Sequence, residues 1–384
     1  MVENIRLNVT GGGDVTISRN VRRSPFFAGT EAAGARGYDH SNHVYVPMAY
    51  GDDPDAAYRA LTEGVALWDV SIERQTEVSG PDAAELSDYL FSRNLLDLDV
   101  DRCSYGFFLD PDGVIITDAI VTRLAEDRYW FSPTLADIIL WAQGIALAAG
   151  RDVTIRDAEY GTVQIQGPRS RDLLRDLIGD QADTLKRFRA MSTTVAGTDV
   201  RISRTGWTGE LGYEIYAPSS RAMPVWDAVM EAGASHDLQP CAYDLARPME
   251  HGLFLFDRMN LYDKITPLEF WRDFLDLDGP EFIGRAALLD TLANGGPRRK
   301  IVGLVGETSQ PLPSIDDRWD LFDGDRVIGG TRWMVGSPAL GKNIAMGLLD
   351  IEYADKRNHQ ITLVHSEGTE TMTITDLPFV PDAR

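Results

Sequence analysis

Cysteine, histidine and lysine are all scarce in this chain of 384 residues. Two cysteines, Cys103 and Cys241, cannot build a disulfide framework and stand in no metal-site spacing with a histidine pair. The six histidines are scattered, and His40 and His43 share a loop without a third ligand, so no metal is expected. Long apolar runs are missing as well. None approaches the roughly 20 residues of a membrane span. The glycine-rich start (Gly11-Gly12-Gly13) has no apolar signal core. A soluble, cytoplasmic protein without membrane association is therefore expected. A basic footprint is also absent. The net charge is −22, and only five of the 37 basic residues are lysines: Lys186, Lys264, Lys300, Lys342 and Lys356. Nucleic-acid binding, which needs a positive face, is excluded. The composition fits a salt-adapted or high-GC source with a solvated carboxylate surface. No nucleophile elbow, P-loop or Rossmann fingerprint occurs, so neither covalent nor metal catalysis finds support.

What is present describes a packed globular chain. Hydrophobic residues make up 43% and aromatics 9%, and the length suggests two to three domains. Residues 1–30 are polar with a basic cluster from Arg19 to Arg23, and read as a strand and an arm. Residues 57–68 read as a helix, since Tyr58, Leu61 and Leu67 recur at helical spacing. Thr76 to Ser79 alternates as a strand, and at Gly80-Pro81 a helix starts, where proline wastes no hydrogen bond. The same sequence of strand, Gly-Pro and amphipathic helix returns at Val163-Gln164-Ile165-Gln166-Gly167-Pro168, followed by Leu173, Leu174 and Leu177. Two copies suggest two related α+β halves. Between them, Asp110-Pro111-Asp112-Gly113 is a hairpin turn between Tyr105 to Leu109 and Val114 to Val121. Further strands are expected at Tyr129-Trp130-Phe131 and Val153 to Ile155, and helices over residues 136–149 and 223–232. Asn294-Gly295-Gly296-Pro297 is the best domain boundary. Beyond it, five short strands starting at Ile301, Arg326, Ile344, Gln360 and Thr371 suggest a small β-barrel-like domain.

Candidate site residues fall in four places. Residues 204–216, Arg204-Thr205-Gly206-Trp207-Thr208-Gly209-Glu210-Leu211-Gly212-Tyr213-Glu214-Ile215-Tyr216, read as strand, tight turn and strand. A tryptophan beside carboxylates suits a flat hydrogen-bonding ligand such as a pterin; a plain glycine hairpin with an edge tryptophan fits as well. Asp118 lies in an apolar strand, where a carboxylate is costly unless paired or facing a cleft. Arg247 and Glu250 are one helical turn apart and would be neighbours, by default a surface ion pair. Tyr105 could stack, hydrogen-bond or simply pack. Carboxylates, an arginine and aromatics make a positioning and proton-handling site.

These pieces, in this order, resemble the glycine cleavage T-protein (aminomethyltransferase) family from about residue 40 onward. The resemblance is carried by Trp68-Asp69-Val70-Ser71, Tyr105 with the hairpin to Asp118, Val163 to Pro168, the stretch 204–214 and Asp244 to Glu250. Thr266-Pro267-Leu268-Glu269, Phe282-Ile283-Gly284 and Ser337-Pro338-Ala339-Leu340-Gly341-Lys342 extend it. Within the family the N-terminal third is most similar to dimethylsulfoniopropionate demethylase. The residues are Arg23-Ser24-Pro25, Ser41-Asn42-His43-Val44-Tyr45-Val46-Pro47 and Ile72-Glu73-Arg74-Gln75, where T-proteins usually have His-Met after Asp-Val-Ser. Thr117-Asp118 also replaces the family's usual Asp-Asp.

The resemblance implies an α+β fold arranged as a three-domain ring, or cloverleaf, with tetrahydrofolate in its central hole. Residues 1–293 would form the folate-binding module, two interleaved α+β subdomains split near 66–156, and 297–384 the β-rich domain. Tyr105, Asp118, Glu214 and Arg247 map to folate-contacting positions, and Trp207 to an aromatic that flanks the pterin. Asp118 would support the folate N5 as it takes a methyl group. Trp68, Tyr105 or Trp207 could hold a cationic methyl donor by cation–π contact. Pro248 stands where the family often has leucine. The implied activity is tetrahydrofolate-dependent demethylation of a small onium compound to give 5-methyltetrahydrofolate. The alternatives are the glycine-cleavage aminomethyltransferase, which would need a carrier-protein partner, another folate-dependent N- or O-demethylase, and a non-catalytic folate-binding assembly factor. The assembly factors carry a Lys-Gly-Cys-Tyr signature that is replaced here by Arg247-Pro248-Met249-Glu250.

Overall fold

The computed structural model describes residues 21–381 except 52, 54, 135, 254–262, 271, 308–318, 332–333 and 366–367. Of the strand and arm expected over residues 1–30, the first 20 residues lie outside the described residues, as does part of the polar-aromatic segment before Ile283; in the described part Arg22 makes an isolated bridge to Val44 and Phe27 begins a helix rather than an arm.

The chain enters through helix α1 (Phe27–Ala32), a two-stranded ribbon β1 (Tyr38–Ser41) and β2 (Val44–Pro47), and helix α2 (Ala56–Glu63). Strand β3 (Val65–Asp69) follows directly. The helix expected over residues 57–68 therefore ends five residues early, and Trp68 sits on a strand. Gly64 stands at this change and, without a side chain, lets the Asp237 backbone approach. A Cβ there would lie 2.7 Å from the Asp237 carbonyl oxygen. The run Val65-Ala66-Leu67-Trp68 is buried on both faces, as an inner strand must be.

The repeat read from the sequence is real in three dimensions. The first copy comprises β4 (Thr76–Ser79), α3 (Ala83–Leu90), β5 (Cys103–Leu109), β6 (Ile115–Ala125), β7 (Arg128–Pro133), α4 (Ile138–Ala149) and β8 (Thr154–Asp157). The second comprises β9 (Tyr160–Gln166), α5 (Ser170–Ile178), the short α6 (Gln181–Thr184), β10 (Ala190–Val195), β11 (Thr198–Ser203), β12 (Gly212–Pro218), α7 (Ala222–Gly233) and β13 (Leu238–Pro240). Sheet orders are β5-β6-β7-β4-β8 and β10-β11-β12-β9-β3-β13. The two match, except that β3 from before the repeat inserts between β9 and β13, which it pairs in parallel. Both Gly-Pro corners share one conformation, with φ of +125° at Gly80 and +130° at Gly167. A Cβ would meet a backbone oxygen at 2.9 Å at the first and 2.5 Å at the second. Only glycine fits a corner of that kind.

Each sheet buries an apolar face under its own helices. Val78, Phe108, Val121 and Phe131 pack on Leu86, Leu90 and Ala142 in the first half. Leu67, Val163, Ile165, Ile202 and Ile215 pack on Leu174, Val225 and Val229 in the second. The opposite faces are also buried but polar: Glu77, Asp118 and Thr122 on one sheet, Gln164, Gln166 and Glu214 on the other. These faces turn toward each other, with the Trp130 ring 4.7 Å from Tyr160 and 6.1 Å from Tyr216 between centroids.

Helices α8 (Ala246–Glu250) and α9 (Arg285–Ala293) lead to the last unit. It contains β14 (Arg299–Gly306), β15 (Trp319–Asp323), β16 (Arg326–Thr331), β17 (Met334–Ser337), β18 (Lys342–Asp350), β19 (Gln360–His365) and β20 (Gly368–Thr375). Its order is β14-β20-β19-β15-β16-β18, and β18 pairs back to β14, closing a six-stranded barrel with β17 on its flank. Strands β15 and β17 were not among the expected five.

Gly167→Ala should destabilise the protein by about 3 kcal/mol, from backbone strain and overlap with the Gly64 oxygen. Gly150→Ala, at φ +62° with open space around it, should cost only about 1 kcal/mol. Urea unfolding of both variants checks the contrast.

Candidate active site

The stretch 204–216 does not make a tight turn. Residues 204–211 form an eight-residue loop between β11 and β12, and this loop walls a cavity of about 800 Å³. All three units contribute. Tyr105 and Ile120 come from the first sheet, Thr205, Trp207 and Glu210 from the loop, His251, Phe270 and Phe274 from the connecting segment, and Lys300, Ile301 and Leu377 from the barrel side. Gly209, at φ +81°, lets the loop press against the His251 ring, where a Cβ would overlap.

Asp118 is buried on β6 at 4% exposure, on the polar face of its sheet. Its Oδ2 accepts a hydrogen bond from the Tyr105 hydroxyl at 2.8 Å and its Oδ1 one from Thr134 Oγ1 at 2.5 Å. Burial raises its carboxyl above the usual range, and the two hydrogen bonds offset only part of this. Burial and the Asp118 charge push the Tyr105 phenol up too, so Tyr105 stays a donor. Tyr105 lines the cavity, with its ring edge-on to Phe274 at 4.9 Å; Asp118 stands directly behind it.

Glu214 is buried at 2% exposure on β12. It accepts from Thr205 Oγ1 at 2.6 Å, Tyr216 at 2.5 Å, Gln164 Nε2 at 2.9 Å and Ser203 Oγ at 3.3 Å. All four donors are neutral. Thr205 separates Glu214 from the cavity.

Arg247 on α8 donates to Glu210 Oε1 from Nε at 2.7 Å, and to Glu250 Oε2 from Nη1 at 2.8 Å. Its guanidinium lies 6.0 Å from the centre of the Tyr58 ring. Pro248 falls in the first turn of a five-residue helix, where a missing N–H costs nothing, and it leaves Arg247 free to bridge. The Arg247–Glu250 pair is not at the surface. Glu250 is 0% exposed and also accepts from Tyr58 at 2.9 Å, Ser337 Oγ at 2.5 Å and the Ala339 N–H at 3.1 Å. Burial alone would raise the Glu210 carboxyl, but His251 and then Arg247 hold it below the usual range.

Of the expected site residues, then, Tyr105 and Trp207 line the cavity, and Asp118, Glu214 and Arg247 sit one side chain behind its wall. Trp68 lies deeper, at 1% exposure, edge-on to Tyr243 at 5.3 Å and in one apolar cluster with Trp207. Sequence reasoning assigned no role to Glu210, His251, Tyr58 or Glu73. The only signal for Glu73 was its place in the run Ile72-Glu73-Arg74-Gln75, where the sequence departs from the T-protein pattern. Among the described residues no cluster could hold a metal ion, and no helix is long and apolar enough to cross a membrane.

Comparison with known proteins agrees with this fold. The GCVT N-terminal domain model matches residues 26–272, and the glycine cleavage T-protein C-terminal barrel domain model matches 299–381. The dimethylsulfoniopropionate demethylase of Ruegeria pomeroyi is 34% identical over 337 residues, covering 87% of this chain and 90% of that protein. The aminomethyltransferase of Streptomyces avermitilis is 32% identical over 346 residues, covering 87% and 91%. The structure of the glycine cleavage system aminomethyltransferase T from Bartonella henselae shares the fold, with a TM-score of 0.81 at 23% identity over 94% of this chain and 99% of that one. Fold and relatives together define a folate-dependent one-carbon transferase, with tetrahydrofolate as cosubstrate. The chain belongs to the glycine cleavage T-protein family.

Glu250→Ala should destabilise the protein by about 3–5 kcal/mol, because it strands Arg247 and three further donors in the interior. The shift in urea midpoint measures this.

Proposed function

We propose that this enzyme moves a methyl group from a small onium compound, dimethylsulfoniopropionate first among candidates, to tetrahydrofolate. The observation that carries the reading is the Tyr105–Asp118 pair: Tyr105 lines the cavity among aromatic rings, and the buried Asp118 carboxylate stands behind it, held by neutral donors. Aromatic faces backed by a carboxylate suit a soft cation. The likeness to the Ruegeria demethylase and the departure at Ile72-Glu73-Arg74-Gln75 point the same way.

The residues present fit tetrahydrofolate. The cavity is of ligand size. Trp207, Phe270 and Phe274 offer ring faces, and Arg187, Arg204 and Lys300 offer positive charge for a carboxylate tail. Bound there, tetrahydrofolate supplies the nucleophilic N5. Trp207 flanks the pterin, and Tyr105, Asp118, Glu214 and Arg247 form its polar surround, Arg247 acting through Glu210. Tyr105 and Trp207 face the donor cation, with Trp68 backing Trp207. An onium sulfur already carries the charge of a leaving group, so the protein's tasks are alignment and exclusion of water. The products are 5-methyltetrahydrofolate, the thioether and one proton, and the raised carboxyl of Asp118 is suited to hold that proton. The folate-binding module spans 1–293 and the barrel module 297–384 in this reading, and the setting is the cytoplasm.

A panel of donors tests it. Purified protein with tetrahydrofolate should yield 5-methyltetrahydrofolate from dimethylsulfoniopropionate or another onium compound. Product only from an aminomethylated carrier protein, with release of ammonia, would replace the reading by the aminomethyltransferase. Folate binding without turnover of any donor would favour the assembly-factor alternative.

Asp118→Asn should lower kcat by about 100-fold or more without loss of folded protein. The sign of its stability effect depends on pH. A carboxyl raised by folding costs stability above its unfolded pKa of about 3.9 and nothing well below it. The variant should therefore gain on wild type between pH 3.5 and pH 7 in urea titrations. An equal loss of activity and of soluble protein would make Asp118 structural.

A further inference from the structure

Residues 70–75 are the one place where the described chain passes from the second sheet to the first, leaving β3 and entering β4. The crossing lies where the polar faces oppose each other. On the second sheet, Trp68 stands opposite Gln164, and Gln164 opposite Glu214. On the first, Gln75 Nε2 bonds both the Glu73 carbonyl and Ser132 Oγ, and Ser132 pairs with Ile120, two residues from Asp118. Glu73 is thus carried between Asp118 and Glu214. Its carboxylate has no hydrogen-bond donor and no ion-pair partner among the described residues. Burial pushes it well above the ordinary range, and the charges of Glu214 and then Asp118 push it further.

Three carboxylates meet here, Asp118 and Glu214 buried and Glu73 part-exposed, and none forms an ion pair among the described residues. Arg74, next in sequence, turns outward to Asp157 and Asp137. The three do not form a metal-holding cluster. Two other side chains, each 1% exposed, add an independent sign. Gln164 gives its Nε2 to Glu214 while its Oε1 has no partner, and the indole N–H of Trp68, opposite it, has none either. Buried polar atoms are ordinarily satisfied, and an uncompensated buried charge is costlier still. A donor and an acceptor left open beside unbalanced carboxylates describe a place that a ligand completes.

We propose that Glu73 is the charge-recognising residue of the methyl-donor subsite, and that this subsite, bounded by Gln164 and Trp68, takes a small organic cation of the sulfonium or quaternary ammonium class. The proposal rests on the demethylase reading and adds to it the group that selects charge. Glu73 binds the donor and takes no part in bond making. Asp118 and Glu214 contribute field from either side, and Gln164 Oε1 accepts the polarised methyl C–H groups of the cation.

Binding of charged and uncharged twins tests this. Dimethylsulfoniopropionate is matched in shape by 4-methylpentanoate, and glycine betaine by 3,3-dimethylbutanoate. Calorimetry on the full chain should give one cation at least about a tenfold advantage over its twin, the lower range for close charge pairs. In Glu73→Gln that advantage should fall below about threefold, with tetrahydrofolate affinity unchanged. Glu73→Asp should restore part of it. The Tm of unliganded Glu73→Gln should equal or exceed that of wild type, since a repelling charge is gone, so lost binding is not lost folding. Equal binding of cation and twin by wild type, a preference that survives in Glu73→Gln, or parallel loss of tetrahydrofolate binding each overturns the proposal. A parallel assay for 5-methyltetrahydrofolate separates the two readings. A Glu73-dependent cation preference without methyl transfer upholds the subsite and defeats the demethylase. Methyl transfer indifferent to Glu73 does the reverse.

Discussion

The bridge from Glu210 through Arg247 to Glu250 ties the loop of the second half to the barrel side by way of α8 and α2. Glu210 belongs to the loop of the second half, Arg247 and Glu250 to α8, and the remaining donors to Glu250 come from α2 and from the Ser337-Pro338-Ala339 turn beside the barrel. One fully buried carboxylate thus satisfies groups from sequence positions 58 to 339. A buried charge is stable only when its lone pairs are filled, so the energetic demand of Glu250 becomes a geometric constraint.

The two half-sheets present the complementary case. Most sheets with a helical layer on one face give the other to water or to apolar packing. Here the second face is enclosed yet polar, with Asp118, Gln164, Gln166 and Glu214 all within a few per cent of full burial. Where this polarity is satisfied, as at Glu214, it fixes side chains in place. Where it is not, as at Gln164 Oε1, stability has been given up. Residues that destabilise the apoprotein and remain confined to one interior are expected of a binding site rather than of a core.

Much of this was legible in the sequence, for identifiable reasons. The two strand–Gly-Pro–helix corners were visible because the φ they require leaves few residue choices. The Asp110 hairpin was visible because Asp110 Oδ1 accepts the N–H groups of Asp112 and Val114, a local device. The end of α2 was not, because an apolar run has the same look in a helix and in an inner strand, and the arbiter, Asp237, lies far along the chain. The burial of Glu250 could not be read either; an i,i+3 ion pair looks the same whether water or a barrel lies beyond it. Strand β17 has four residues and little pattern. Glu73 was noticed as a departure from the family pattern, but its position between two other carboxylates depends on a crossing between sheets that no local pattern announces.

The cavity takes its wall from residues as far apart as Tyr105 and Leu377. A fragment that lacks either of those contributors cannot form the whole cavity. Ligand occupancy and completion of the fold are then one thermodynamic event: any molecule held at the centre draws the three units together by mass action. In a cell the folate pool would act on this protein's lifetime as well as on its turnover. Depletion would leave more molecules with the units apart, and removal by proteases would follow the concentration of the cosubstrate.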